Sequence, residues 1–97
     1  MILTKSEPFT KVEIKNKQIL GALAMDLKRA ALGYFRGSTP MAERFFEEAL
    51  KRRDELDQKD LKPYLSKFLQ NMEKIKIEKG ADDALLYSTI FQNASQI

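Results

Sequence analysis

Apolar positions recur along this chain with the period of an α-helix, in four blocks separated by glycine, proline and short polar stretches. The densest block covers residues 20–35. Thirteen of its sixteen residues are apolar or glycine, and only Asp26, Lys28 and Arg29 break the run. A helix that packs on one neighbour needs one apolar stripe, whereas a helix apolar nearly all round is touched on more than one side. The pattern therefore predicts a central rod. Upstream, Thr10-Lys11-Val12-Glu13 has the form of a capping box. Its threonine hydroxyl can accept from an amide of the first turn while the glutamate reaches back to the cap amide. Downstream, Gly37 is a natural closing residue, because glycine tolerates the left-handed backbone that ends a helix. Helix 1 is expected over about residues 11–36, roughly 39 Å long, with Asn16 and Gly21 as its weak points. Residues 1–9 read as an extended lead-in, since Pro8 holds Glu7 in extended geometry.

The other three blocks follow the same logic. In Gly37-Ser38-Thr39-Pro40, glycine stops one helix, a hydroxyl residue caps the next, and proline enters its first turn, where a missing N–H costs nothing. Helix 2 is expected over about 40–57, with Met41, Ala42, Phe45, Phe46, Ala49, Leu50 and Leu56 inward and Glu47 paired with Lys51 outside. Asp60 reads as the next cap, and Pro63 is tolerable only in a first turn. Helix 3 is then expected over about 61–79, its apolar positions running from Leu61 to Ile75, with Lys76 and Lys79 in its last turn and Gly80 closing it. Helix 4 is expected over about 81–95. Asp82 and Asp83 fall in its first turn, and Ala84, Tyr87, Phe91 and Ala94 form a stripe widened by Leu86, Ile90 and Ile97. Eight of the nine aromatic residues, Tyr34, Phe35, Phe45, Phe46, Tyr64, Phe68, Tyr87 and Phe91, read as core by spacing. The fold class predicted is all-α, one domain over residues 1–97, a four-helix up-down bundle with a long central N-terminal helix.

Helix 1 carries two stripes when its residues are placed about 100° apart. Val12, Ile19, Leu20, Leu23, Leu27, Ala30, Ala31 and Tyr34 face the other helices. Ile14, Gln18, Gly21, Met25, Lys28, Leu32 and Phe35 form a second, at spacings of 4, 3, 4, 3, 4 and 3. Such a heptad seam suits another helix. The expected contact is with a second copy of the chain, through Ile14, Gly21, Met25, Lys28, Leu32 and Phe35; the competing expectation is that the bundle itself wraps this stripe. Lys28 counts against a dry seam unless its stem covers apolar surface and its charge escapes.

Composition narrows the chemistry. No histidine is present among the 97 residues, which removes the commonest general base and metal ligand. No cysteine is present either, so there is neither a disulfide framework nor a thiolate metal site, as suits a cytoplasmic protein. No basic, apolar leader and no membrane-length apolar run is read in the chain. The net charge of +3 is uneven: +4 over residues 1–40, −2 over 41–60 and +1 over 61–97. The basic N-terminal third, with Lys28, Arg29, Arg36 and the hydroxyls of Ser38 and Thr39 beside a helix start, gives the alternative of a weak nucleic-acid or anion binder. Lys51-Arg52-Arg53 is interleaved with Glu43, Glu47, Glu48, Asp54, Glu55 and Asp57, which reads as an ion-paired helix surface rather than a phosphate-binding face. No catalytic constellation, metal site or cofactor is expected. The leading expectation is a non-enzymatic protein–protein interaction module that forms a homodimer or binds another protein.

Overall fold

The computed structural model describes residues 11–75 and 77–96, with backbone alone at 11–13, 60 and 77–80. The expectations about residues 1–9, the Thr10 and Glu13 cap, Lys76 and Ile97, and about the side chains of Val12 and Lys79, lie outside the described residues. All regular structure described is helical: α1 (Lys11–Phe35), α2 (Thr39–Asp54), α3 (Pro63–Asn71) and α4 (Ile77–Ser95), with single 3₁₀ turns at Gln58–Asp60 and Met72–Lys74. Helix α1 packs along both α2 and α4, while α2 and α4 barely meet.

Small residues set both of those pairings. On the α2 side, Ala30 of α1 packs with Ala42, and a Cβ built on Gly33 would lie 3.2 Å from the Ala42 nitrogen. On the α4 side, Ala31 packs with Ala84, and a Cβ built on Gly21 would lie 3.7 Å from Ser95 Oγ. Near-absent side chains let the backbones approach closely, and the larger residues between them fill the core. Leu23, Leu27, Leu69, Met72 and Phe91 are its largest fully buried side chains. The inward stripe expected of helix 1 is where it was placed: Ile19, Leu20, Leu23, Leu27, Ala30 and Ala31 are buried, and Tyr34 is half-buried.

The α1–α2 turn closes as its residues dictate. Gly37 has φ +78°, its amide donates to the Tyr34 carbonyl at 2.9 Å and the Ser38 amide to the Gly33 carbonyl at 2.8 Å. These are the paired 5→2 and 6→1 bonds of a Schellman closure. Ser38 takes the cap position of α2, but its hydroxyl makes no capping bond; Pro40 sits in the first turn.

Further along, the chain departs from the expected bounds. Helix α2 ends at Asp54, not near 57. Leu56, counted in helix 2, is buried beyond the helix end, and the carboxylate of Asp57 accepts from the Lys59 amide to start a 3₁₀ turn. The residue preceding α3 is Lys62, at φ −66° and ψ 144°, so Asp60 is not its cap. A residue before proline is sterically barred from helical geometry, and the helix begins at Pro63 itself. At its other end α3 stops at Asn71, tightens into a 3₁₀ turn and gives way at Ile75, which is extended at ψ 117°. Helix α4 starts at Ile77 and runs through position 80, so Gly80 closes nothing. The break falls at Ile75 because its side chain is buried with Ala31 and Ala84; an extended β-branched residue there turns the chain while keeping an apolar group inside. Asp82 and Asp83 accordingly lie in the second turn of α4, beyond the reach of the amide dipoles invoked for them.

Asn16 also has a different role from the one expected of it. Its side chain is buried. It donates from Nδ2 to the Asp57 carbonyl and accepts from the Asp57 amide through Oδ1, both at 3.0 Å. One amide side chain on α1 thus satisfies both backbone groups of the residue that leads out of α2. Asn16→Ala removes both partners at once and is expected to cost about 1–3 kcal/mol, read as a lower urea midpoint by circular dichroism. A change under about 0.5 kcal/mol, the size of an ordinary surface substitution, would show the clamp to be dispensable.

Candidate interaction face

With α2, α3 and α4 in place, the second stripe of α1 apart from Gly21 is left exposed by the described residues. Ile14 is 44% exposed, Met25 41%, Leu32 37% and Phe35 55%, and Gln18 and Lys28 are exposed with them. Among the described residues the bundle does not wrap this stripe. The geometry explains why: α2 approaches α1 at Ala30 and Gly33, α4 at Gly21, Ala24 and Ala31, and the core fills the arc between them. The remaining arc holds the seam. Isolated exposed apolar residues need no explanation, but a row at heptad spacing on one rigid helix is an organised surface.

Gly21 differs from its companions. It is half-buried beside Ser95 of α4 and so belongs to the rim of the seam. Helix α4 borders the seam on that side. A shallow hollow of about 290 Å³ lies between the helices, lined by Ala24, Met25 and Lys28 from α1 and by Leu85, Ser88, Thr89 and Gln92 from α4. Leu86, counted inward from the sequence, is 55% exposed. It sits about 140–160° around α4 from Ala84 and Phe91, which hold the buried side. Phe35 and Tyr64 were likewise read as core by spacing and are 55% and 46% exposed. Phe35 lies on the α1 face opposite the core, and Tyr64 lies about 100° from Leu65 at the start of α3. The α4 border of the face was not foreseen, because nothing local to residues 85–92 tells which side of α4 meets α1.

The cations of the alternative reading are dispersed or engaged. Arg29 lies 3.6 Å from the buried Asp26 carboxylate and stacks over the Phe45 ring, 5.7 Å from its centroid. Arg52 donates from Nε to the other Asp26 oxygen at 3.2 Å. Arg53, 16% exposed, donates to Glu73 at 2.7 Å and to the Leu69 carbonyl at 3.3 Å. Lys51 lies 3.9 Å from Glu48, a partner three residues away rather than the expected Glu47. Arg36 is exposed and Ser38 and Thr39 are half-buried at the turn. Arg52 is therefore engaged with α1, Arg53 with α3 and the turn that follows it, and Lys51 with α2 itself, so these charges do not converge on one phosphate-sized spot. Among the described residues no three acidic side chains gather as a metal cage would require, and no helix is long and apolar enough to cross a membrane.

What the fold and this face define is a class, the small all-helical domain with an organised apolar helix face. No protein-family model, no curated protein and no solved structure matches this chain.

Proposed function

We propose that the chain is a four-helix up-down bundle built on a long central first helix, and that it works by protein–protein contact rather than catalysis, associating with itself through the outer face of α1. The observation that supports this reading is the exposure of Ile14, Met25, Leu32 and Phe35 in one heptad row. Exposed apolar area in such a row is removed from water when a second helix lies along it, at about 25 cal/mol for each Å². The row runs from Ile14 to Phe35, 22 residues, or about 32 Å of helix, and a helix face is about 10–12 Å wide. That gives roughly 300–400 Å² for each copy from α1 alone, below the ~800 Å² of a standard interface. The association is therefore expected to be weak unless the α4 border joins it.

The test is size-exclusion chromatography with light scattering over a concentration series. The expected mass is twice the 11.2 kDa of the chain at high concentration. Leu32→Glu places a charge in the seam at a position that is already partly in water, and it is expected to return the mass to that of one chain with helicity unchanged. A wild-type chain that keeps the single mass at about 100 μM would overturn the reading, because an affinity weaker than that leaves little to act on.

A further inference from the structure

The self-association reading leaves open how two copies meet, and the face itself carries a direction. We propose that the second copy packs antiparallel along α1, with the two-fold axis at Met25. The inference rests on the reading just given. In an antiparallel pair the two-fold axis runs across the helix and the same patch serves both copies, so the patch must match its own reversal. This one does. Gln18 and Leu32 lie seven positions on either side of Met25, Gly21 and Lys28 lie four before and three after, and Ile14 and Phe35 lie eleven before and ten after. Reversal about Met25 sets Ile14 on the partner's Phe35 and Met25 on the partner's Met25. The two halves of the row thus bury each other's largest side chains.

Charge selects the same direction. In a parallel, in-register pair each Lys28 would face the partner's Lys28 within the seam. Antiparallel packing moves them about 9 Å apart along the axis and sets each against the partner's Gly21. There the missing side chain leaves room for the lysine stem. Gly21 also lies beside Ser95, the last residue of α4. The final carbonyls of a helix carry partial negative charge and favour a cation, yet the last turn of α4 holds no basic residue. Lys28 of the second copy supplies it. The residue that counted against a dry seam becomes the one that fixes its direction. The hollow between α1 and α4 opens beside Met25, so it faces the axis, where the flexible thioether of the partner's Met25 can fill it. This brings Leu85 and Thr89 of α4 into contact and enlarges the small area that α1 offers alone.

The chain has no cysteine, so single-cysteine variants at these exposed positions report on geometry without background. Under mild oxidation, Met25→Cys is expected to yield a disulfide-linked dimer. Ile14→Cys alone and Phe35→Cys alone are expected to remain unlinked, and an equimolar mixture of the two is expected to give the mixed dimer. The Cα atoms must approach within about 7 Å for the bond to form. Self-linking of Ile14→Cys, with no mixed product, would overturn the antiparallel register and leave self-association standing. Dimeric mass with no linkage in any of these samples would place the contact elsewhere and overturn the register as well. Single-chain mass throughout, in light scattering of the same samples, would overturn both readings together.

Discussion

Replacing Phe91 with alanine is expected to cost about 3–5 kcal/mol of folding stability, the largest loss expected of any single truncation among the described residues. Phe91 is fully buried. Its ring meets Tyr87 edge-on, with centroids 6.1 Å apart, and Tyr87 in turn meets Phe68 of α3 at 5.2 Å. The ring therefore ties α4 to α1 directly and to α3 through Tyr87. Truncation removes the transfer free energy of the ring and leaves a cavity between helices that cannot close without breaking other contacts. Domains of this size have total stabilities of about 5–15 kcal/mol, so the variant should unfold at a midpoint roughly 12–40 °C lower, on a scale of about 4–8 °C for each kcal/mol. Thermal and urea unfolding followed by circular dichroism measure it. Phe91→Leu, which keeps most of the volume, should lose much less. A loss under about 1 kcal/mol for Phe91→Ala would mean that this line of rings is not the centre of the core.

The second large effect comes from adding atoms rather than removing them. A Cβ built on Gly33 stands 3.2 Å from the backbone nitrogen of Ala42 and 3.4 Å from its Cα. Those are backbone atoms in the first turn of α2, and they cannot rotate away. Gly33→Ala sets two terms against each other. Alanine is favoured over glycine in a helix by about 1 kcal/mol, and the crowding takes back a similar amount, so a change near zero is expected. Gly33→Val has no such balance. Its β-branch adds two methyl groups against Ala42 and gains less helix propensity, and overpacking costs about 1–3 kcal/mol. The expected result is a loss of about 2–3 kcal/mol by urea unfolding. Equal stability of the alanine and valine variants would show that α2 can lift off α1 freely, contrary to the packing described. Neither substitution touches the outer row of α1, so both should leave any dimer mass unchanged at concentrations where the chain is folded.

These two residues also mark what could be read from the chain alone. Phe91 was legible: it lies on a helical stripe with Ala84, Tyr87 and Ala94, and spacing suffices to place it inward. Gly33 was not singled out, because a glycine inside an apolar run carries no local sign of what faces it. Asp26 was equally silent. In the sequence it is one of three polar interruptions, and in the fold it is the buried carboxylate that holds Arg52 of α2 and lies beside Arg29. Asn16 looked like a flaw in a helix and is the clamp on Asp57. Each of these roles depends on a residue 9 to 41 positions away.

What the sequence determined by itself was therefore the local part. Helical periodicity, the Gly37 closure with its left-handed backbone, the start of α2 and the inner stripe of α1 all follow from residues within one or two turns of each other. The tertiary structure decided the rest. It decided that the helix 3–4 break falls at Ile75 and not at Gly80, since burial against Ala31 and Ala84 outweighs the preference of glycine for a helix end. It also decided that Phe35, Tyr64 and Leu86 stay exposed. For the outer row of α1 the chain alone could specify the heptad spacing but not its exposure. That depended on where α2 and α4 settle, and the small residues Gly21, Ala24, Ala30, Ala31 and Gly33 draw them onto the flanks of α1 and leave the row uncovered.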